Sequence, residues 1–576
     1  MKTKKLKERK PDRKAAEAAK SRQPELWLWI IGLLVALFAA LQVYGPALHG
    51  PFLFDDSYLP MNVPGFAHNP FLVWLHGTRP LLMASFFVNQ RLAGTDTAQY
   101  HEWNVLIHFL NALLVYFILR KLLQLAAAPT KLALFAAGLF LLHPLQTETV
   151  AYIAGRSDGL SSFFCFGAFA LFLYRRSQAI TWPVALGVIA LFGAAMATKE
   201  NTVVFPALLL LTDYFWNPGF SFEGIRRNWR LYALMAAGSA IGAVKVFQVL
   251  AAASSAGFRV KDLTWYDYLF TQFRVFFTYL WLFVFPASQT VDYDYPISHT
   301  ILEHGAIFGL IGILAILGAA VYYRRRYPLA CYGLFAFVIL LAPTSSFIPI
   351  ADPISERRIY LPMIGLLLVA IDLIRRAPLK TTPLAVSLGA VLLIAAALTY
   401  RRSIVWSGAI PLWEDAVQKS PAKARAHFQL AFAYFDANRC HEAEEQYQKA
   451  SELKKPDYML LLDWALADNC LGKSDDAIAK LSQAAAIEST AHVYSQLGMM
   501  YAKTSRTAEA FRALDSAQSM DPAFEATYLY RGQLFQSLNN PAAAEQQFRR
   551  ALEINPQNQQ ALDLLRQLRT GSRIPQ

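Results

Sequence analysis

The stretch LWLWIIGLLVALFAALQVYGPAL, residues 26–48, contains no charged residue and is long enough to cross a lipid bilayer, which takes roughly 20 apolar residues. It follows residues 1–25, which hold ten Lys or Arg against four Asp or Glu. Basic residues beside a span are retained on the cytoplasmic side. The run is too long for the core of a signal peptide and lacks a small-residue cleavage site. We therefore expect an uncleaved first span behind a basic cytoplasmic tail.

The composition extends this interpretation to most of the chain. Of the 576 residues, 55% are hydrophobic and only 16% are charged, which is too apolar for an ordinary soluble enzyme. The formal net charge is +13, and nearly half of it lies in the N-terminal tail. Because no basic and aromatic module accompanies that tail, we predict the lipid bilayer, and no nucleic acid, as a partner.

Ten further apolar runs are candidate spans, at 103–123, 131–150, 159–174, 181–198, 201–217, 231–252, 305–323, 328–345, 359–374 and 381–400. The segment 266–286 is aromatic and carries Arg274, which favours an interfacial or re-entrant helix. If it does not cross, the following basic residues all face the cytoplasm: Arg120 and Lys121, Arg175 and Arg176, Arg226, Arg227 and Arg230, Arg324 to Arg326, and Arg375 and Arg376. We predict about eleven spans, with the N-terminus inside and the C-terminus outside, although Arg401 and Arg402 then fall on the outer side.

After residue 403 the composition becomes that of a soluble, helical protein. The stretch SQLGMMYAKTSRTAEAFRALDSAQSMDP, residues 495–522, has small and large residues at the spacing of a tetratricopeptide helix pair. The frame recurs 34 residues later and, in two weaker copies, upstream. We therefore predict an all-α chain with a basic tail at 1–25, a membrane domain at 26–402, a linker or helix at 403–423, an α-solenoid of about four repeats at 424–558, and a cap and tail at 559–576.

Unexpected polar residues collect in the loops predicted to lie outside, at 54–60, 79–94, 100–104, 143–159, 198–201, 292–296 and 353–362. Ionisable groups at span ends are costly to desolvate. Because the inner loops carry mainly basic anchors, we expect the outer groups to form one polar cavity.

Taken in order, these motifs resemble one known family. The motifs are Asp-Asp after the first span, RPL at 79–81, YHEWN at 100–104, HP at 143–144, TETVA at 147–151, KE at 199–200, ERRIYLP at 356–362 and the C-terminal repeats. They are similar to the transmembrane and tetratricopeptide-repeat O-mannosyltransferases, which are GT-C membrane glycosyltransferases. The resemblance, over most of residues 26–560, implies transfer of mannose or a similar hexose from a polyprenyl-phosphate-linked donor to a hydroxyl of a protein acceptor outside the cytoplasm.

The resemblance places an acidic catalytic position at Asp55. An attacking hydroxyl needs a carboxylate to accept its proton, and we expect Asp55 to be this base. Asp56 then tunes Asp55, binds a cation or positions the acceptor, because adjacent carboxylates repel each other. Alternatively, both aspartates only cap a loop helix.

The late motif suits the leaving phosphate. Arg357 and Arg358, between Glu356 and Tyr360, match the family pattern, and guanidinium groups bind phosphate well. An arginine pair at the end of a span is otherwise an interfacial anchor.

The middle motifs add candidate substrate-binding residues, namely His143, Glu148, Arg156, Lys199 and Glu200. His143 precedes a proline at a span end, so it alternatively only terminates that helix. No Walker loop, nucleotide-fold glycine fingerprint or HExxH helix occurs in the chain. We expect no nucleotide cofactor, which fits a lipid-linked donor, and the need for a divalent cation stays open.

Two other classes of function compete with the glycosyltransferase. A non-catalytic membrane scaffold would gather envelope or secretory proteins on its repeats, but it needs none of the acidic and basic motifs. A transporter should show paired halves around a midplane site, and no such internal symmetry is visible. If the repeats lie outside, in the periplasm of a bacterial inner membrane or the lumen of an endoplasmic reticulum, Cys440 and Cys470 are expected to pair.

Overall fold

The computed structural model describes residues 26–63, 65–378 and 380–570. Within these ranges the structure is helical, and its one pairing of strand type is an isolated bridge between Ala256 and Ile350. The predicted all-α class is confirmed. The predicted basic tail at 1–25 and the last predicted residues, 571–576, lie outside the described residues.

The chain forms two compact units. The first, called here the membrane unit, comprises the residues up to Val291 together with Tyr295–Gly408. The second, called the repeat unit, comprises Asp292–Asp294 and the residues from Ala409 onward.

The membrane unit contains sixteen α-helices in its described part: α1 (Leu26–Tyr44), α2 (Phe71–Trp74), α3 (Pro80–Ala93), α4 (Thr97–Leu125), α5 (Leu132–Leu142), α6 (Thr147–Ala151), α7 (Arg156–Arg175), α8 (Trp182–Thr198), α9 (Phe205–Trp216), α10 (Glu223–Arg227), α11 (Trp229–Ala252), α12 (Trp265–Val284), α13 (Ala306–Tyr323), α14 (Pro328–Leu341), α15 (Met363–Ile374) and α16 (Thr381–Val405). Short 3-10 turns at Phe54–Tyr58, Glu200–Val204 and Glu356–Ile359 carry the predicted acidic and basic motifs.

By length and composition, six of these helices can cross a membrane: the helices beginning near Trp27, Thr97, Arg156, Trp229, Glu303 and Thr381. Four shorter apolar helices, α5, α8, α14 and α15, match further predicted runs. The segment predicted to be interfacial or re-entrant is the 20-residue helix α12, which begins with a capping box of Thr264 and Asp267. The count of about eleven spans stays a prediction.

Small residues let the helices of this unit approach closely. A Cβ atom at Gly333 in α14 would collide with the carbonyl oxygen of Gly365 in α15, and the reverse is also true. In lipid, the hydrophobic effect does not drive helices together, and they associate instead through close van der Waals packing. Small residues allow that packing because the two backbones can approach each other. The pair α14 and α15 therefore packs backbone to backbone, and the turn at Glu356–Ile359 lies just before α15.

The repeat unit is a run of antiparallel helix pairs: α17 (Ala409–Lys419), α18 (Ala424–Asp436), α19 (Cys440–Leu453), α20 (Tyr458–Cys470), α21 (Ser474–Ile487), α22 (Ala491–Lys503), α23 (Thr507–Met520), α24 (Glu525–Ser537), α25 (Pro541–Ile554) and α26 (Gln559–Thr570). A Cβ atom at Gly498 would lie 2.5 Å from the side chain of Leu514, so α22 and α23 approach each other closely at this glycine. Cys440 and Cys470 form the expected disulfide, with Cα atoms 6.2 Å apart.

Candidate active site

The two aspartates after the first span have different surroundings. Asp56 is 1% exposed, and its carboxylate accepts hydrogen bonds from the backbone N–H groups of Leu53 at 3.1 Å and Ala154 at 2.7 Å. Burial raises the pKa of Asp56 to about 7, although these bonds act to lower it. Asp56 therefore ties the turn at Phe54–Tyr58 to the loop before α7.

Asp55, in contrast, is exposed and lines a cavity of about 590 Å³ within the membrane unit. Its backbone N–H donates to the hydroxyl of Tyr152 at 2.9 Å. The preceding Phe54 has a φ of 51°, a left-handed conformation that residues other than glycine rarely adopt. Such strain persists only where the surroundings enforce it, and here the Asp56 and Tyr152 contacts fix the turn. The turn thereby holds Asp55 at the cavity wall.

Predicted residues from the first, middle and last motifs meet at this cavity. Those that line it are Asp55, Lys199, Glu200, Arg357 and Arg358. Lys199 and Glu200 follow α8, and the two arginines lie in the turn before α15. The expected single polar cavity is therefore present for these motifs.

Two ion pairs stiffen one wall of the cavity, and each uses a residue that sequence reasoning did not single out. Lys199 Nζ lies 2.6 Å from a carboxylate oxygen of Asp158. Arg79 binds both carboxylate oxygens of Glu200, at 2.6 and 3.0 Å. Burial lowers the pKa of Lys199. Arg357 and Arg79 act in the same direction, and Asp158 offsets only part of the shift, so the ammonium group is costly to keep charged. Arg79 is the first residue of the RPL motif, and this motif was the sequence feature that could have identified it as a site residue.

Arg357 is held from behind by Glu148. The Glu148 carboxylate accepts hydrogen bonds from the Arg357 backbone N–H and the Ser355 hydroxyl, each at 3.0 Å, and lies 3.7 Å from Arg357 Nε. Burial acts to lower the pKa of Arg357, but Glu148 and neighbouring carboxylates raise it by more. The guanidinium therefore stays charged, with 28% of the side chain exposed.

Arg358 is bound mainly by neutral oxygens. Its guanidinium donates to the backbone carbonyls of Asp352 at 2.5 Å and Pro353 at 2.9 Å and to the hydroxyl of Tyr268 at 3.1 Å. These bonds orient the guanidinium group of Arg358. Because the acceptors are neutral, they do not cancel its positive charge.

Other predicted residues lie behind the cavity wall. Arg156 is 1% exposed and donates to the side-chain oxygens of Asn104 at 2.8 Å and Asn89 at 2.7 Å. The hydroxyl of Tyr360 lies 2.7 Å from Nδ1 of His108, in the interior of the helix bundle. Both residues therefore position neighbouring helices.

The last two predicted residues are also buried away from the cavity. Glu356 is fully buried and accepts a hydrogen bond from Gln289 at 2.5 Å. His143 caps the end of α5, with Nε2 3.0 Å from the carbonyl oxygen of Phe283, and lines a separate apolar cavity of about 600 Å³. Among the described residues, no group of three or more His, Cys, Asp or Glu side chains is placed to hold a metal ion.

Comparisons with known proteins show what each unit is similar to. A family model described as tetratricopeptide repeat matches residues 424–457 and 526–558. The chain is 25% identical over 456 residues to Protein O-mannosyl-transferase F38B6.6 of Caenorhabditis elegans, which covers 74% of this chain and 63% of that protein. It is 23% identical over 560 residues to Protein O-mannosyl-transferase TMTC3 of Homo sapiens, which covers 83% and 58%.

A shorter segment of 138 residues is 38% identical to Protein O-mannosyl-transferase Tmtc1 of Drosophila melanogaster, which covers 23% of this chain and 15% of that protein. Several relatives match over most of this chain. The match covers less than two thirds of the length of each of these relatives. These relatives confirm the resemblance that the order of the motifs indicated.

Proposed function

We propose that this chain, which is similar to the transmembrane and tetratricopeptide-repeat O-mannosyltransferases, is a membrane glycosyltransferase that modifies proteins. Its donor is a polyprenyl-phosphate-linked mannose or similar hexose, and its acceptor is a protein hydroxyl outside the cytoplasm. The observation that carries the proposal is the cavity in which the exposed carboxylate of Asp55 shares a wall with Arg357 and Arg358.

The reaction needs a base and an anion site close together. The acceptor hydroxyl oxygen attacks the anomeric carbon of the donor sugar, and the bond from that carbon to the phosphate oxygen breaks. The hydroxyl proton passes to Asp55, and the lipid phosphate leaves with the bonding electron pair. Arg357 and Arg358 stabilise the charge that develops on this phosphate, as guanidinium groups do in enclosed sites. Lys199 lines the same cavity, but the carboxylate of Asp158 beside it balances its charge.

The position of the site suits a donor with one part in lipid and one in water. The turn with Asp55 begins at Phe54, shortly after α1 ends at Tyr44, and the turn with Arg357 ends at Ile359, shortly before α15 begins at Met363. Both catalytic groups therefore lie at span ends, where a lipid phosphate resides while its isoprenoid chain stays in the bilayer. A protein acceptor reaches the same cavity from the aqueous side.

Two observations support an extracytoplasmic site. The Cys440–Cys470 disulfide is typical of an oxidising compartment, which supports a repeat unit outside the cytoplasm. The arginine clusters of the loops after α7, α9, α13 and α15 lie at the helix ends opposite the Asp55 cavity, as the retention of basic residues inside requires. The repeats would then bind the acceptor or a partner protein, since such arrays are binding surfaces.

The test is sugar transfer by the purified full-length chain in detergent or vesicles. We expect labelled mannose to pass from polyprenyl-phosphate mannose to a protein or peptide hydroxyl, and nucleotide-linked mannose to be no direct donor. Transfer from neither donor class would favour the non-catalytic scaffold. Efficient direct transfer from a nucleotide sugar would overturn the lipid-linked donor.

A further inference from the structure

A second cavity that contains arginines, of about 370 Å³, lies in the membrane unit far from Asp55. It is lined by Trp216 at the end of α9, Phe220 in the following turn, and Arg324 and Arg325 between α13 and α14. It belongs to none of the motifs used for the proposed function.

Helices α9 and α14 separate the two cavities. The turn before α9 contains Glu200, which lines the first cavity, and α9 ends at Trp216 in the second. Similarly, α14 begins at Pro328 in the second cavity and ends just before Thr344, which lines the first. At about 1.5 Å per residue, these helices place roughly 20 Å between the cavities. The second cavity therefore opens at the opposite face of the membrane unit.

The second cavity has uncompensated positive charge. The carboxylates of its surroundings are already engaged, since Asp213 pairs with Arg176 at 2.9 Å and Asp372 with Arg375 at 2.6 Å. Within the part of the chain that the structure describes, no carboxylate lies within ion-pair distance of Arg324 or Arg325.

Two hydrogen-bond donors at this cavity also lack acceptors. Among the described residues, Nε1 of Trp216 and Nε of Arg324 are buried without a hydrogen-bond partner. The Arg324 guanidinium is held over the ring of Phe220 at 5.2 Å, and its Nη1 donates to the carbonyl of Val321 at 2.6 Å. A buried donor left unpaired is costly, so a hydrogen-bond acceptor in the cavity would stabilise each donor that it reaches.

The helix that leads into the arginines indicates where the anion comes from. Along α13, the side chains of Phe308, Leu314 and Val321 are 75%, 59% and 49% exposed, and an apolar span of this kind presents its exposed side to lipid. Basic cavities between spans at the cytoplasmic face are suited to anionic lipid head groups. We infer that this cavity binds the phosphate of an anionic phospholipid, whose acyl chains lie along α13.

The test is lipid retention by the full-length chain, measured by native mass spectrometry after exchange into mixed micelles of phosphatidylglycerol and phosphatidylcholine. The wild type should retain phosphatidylglycerol selectively. Arg324→Gln and Arg325→Gln should each weaken its apparent affinity about tenfold, since a charge-assisted hydrogen bond to the phosphate, which contributes about 1.5 kcal/mol, is lost. Trp216→Phe, which removes the N–H donor and replaces the indole with a smaller ring, should produce a smaller loss.

Arg326→Gln is the matched control, because Arg326 is an adjacent exposed arginine that does not line the cavity and lies over the ring of Tyr327 at 5.6 Å. It should retain the lipid almost as the wild type does. If Arg325→Gln and Arg326→Gln lose equal affinity for phosphatidylglycerol, the binding depends on general surface charge, and the proposed lipid site is refuted. Displacement of phosphatidylglycerol by millimolar inorganic phosphate would reassign the cavity to a soluble anion. Elution and melting profiles identify variants that fail to fold. If Arg324→Gln fails to fold, the test is the comparison of Arg325→Gln with Arg326→Gln, because both of these arginines are exposed.

Discussion

Replacing Asp56 with Asn tests whether this carboxylate holds the turn that presents Asp55. The Asp56 carboxylate accepts two backbone hydrogen bonds, from Leu53 and Ala154. The Asn amide has one acceptor oxygen, so it leaves one buried N–H facing an NH₂ group. An unsatisfied buried donor costs about 1–3 kcal/mol, and we expect a loss of that size in the free energy of unfolding at pH 5, where both oxygens of the carboxyl group can still accept. Asp55→Asn is the control, because its exposed side chain should change stability by less than about 0.5 kcal/mol.

The pH dependence of this loss has a defined sign. The pKa of Asp56 is raised from 3.8 to about 7, mainly by burial, so between these pH values the folded protein binds more protons than the unfolded chain. Stability from Asp56 is therefore greatest at low pH and declines as pH rises toward 7, by at most about 1.4 kcal/mol per pH unit. The advantage of the wild type over Asp56→Asn should shrink between pH 5 and pH 7.

Thermal or denaturant unfolding of both variants in one detergent, at several pH values, provides the measurement. An advantage that grows with pH would show that the two N–H bonds outweigh burial and that Asp56 is a stabilising anion. Equal destabilisation by Asp55→Asn and Asp56→Asn would refute the different roles given to the two residues. At equal folded amounts, Asp56→Asn should keep at least about a tenth of wild-type transfer, because Asp56 is buried and does not line the cavity.

Arg357→Gln should raise the KM for the lipid-linked donor roughly 10- to 100-fold, because a charge-assisted bond to the phosphate is lost, with Arg357→Lys rescuing only part of it; unchanged donor dependence would make Arg357 an interfacial anchor. Cys440→Ser should lower the free energy of unfolding of the repeat unit by about 3–4 kcal/mol, because the bridge spans 30 residues. Denaturant unfolding of the full chain with and without reductant measures this effect. An unchanged wild-type profile in reductant would show that the disulfide does not stabilise the repeat unit.

The helical framework could be predicted because its signals are local. The apolar runs predicted most helices of the membrane unit, and the spacing of Leu497, Gly498 and Tyr501 predicted how the repeat helices pair. Small residues recur at that spacing since the helix contact leaves no room for a side chain, so the pattern is visible in one sequence.

The site was predictable only through the order of the motifs. Periodicity says nothing about which loops meet, and Arg79 was not singled out because its partner Glu200 lies far along the chain. Asp55 and Asp56 are neighbours of identical chemistry, and only the fold shows that one lines the cavity while the other is buried against Ala154. Likewise, Glu148 matched a motif, but only the fold shows that its carboxylate accepts a hydrogen bond from the backbone of Arg357.

The central claim is that Asp55 removes the proton of the acceptor hydroxyl, and the most direct test is sugar transfer by Asp55→Asn. Turnover with polyprenyl-phosphate mannose should be measured against wild type at equal folded amounts and saturating acceptor. Asn preserves the size of the side chain but cannot accept the proton, so we predict that turnover falls roughly 10²- to 10⁴-fold while donor binding changes little. An Asp55→Asn enzyme with normal turnover would contradict the assignment of Asp55 as the base.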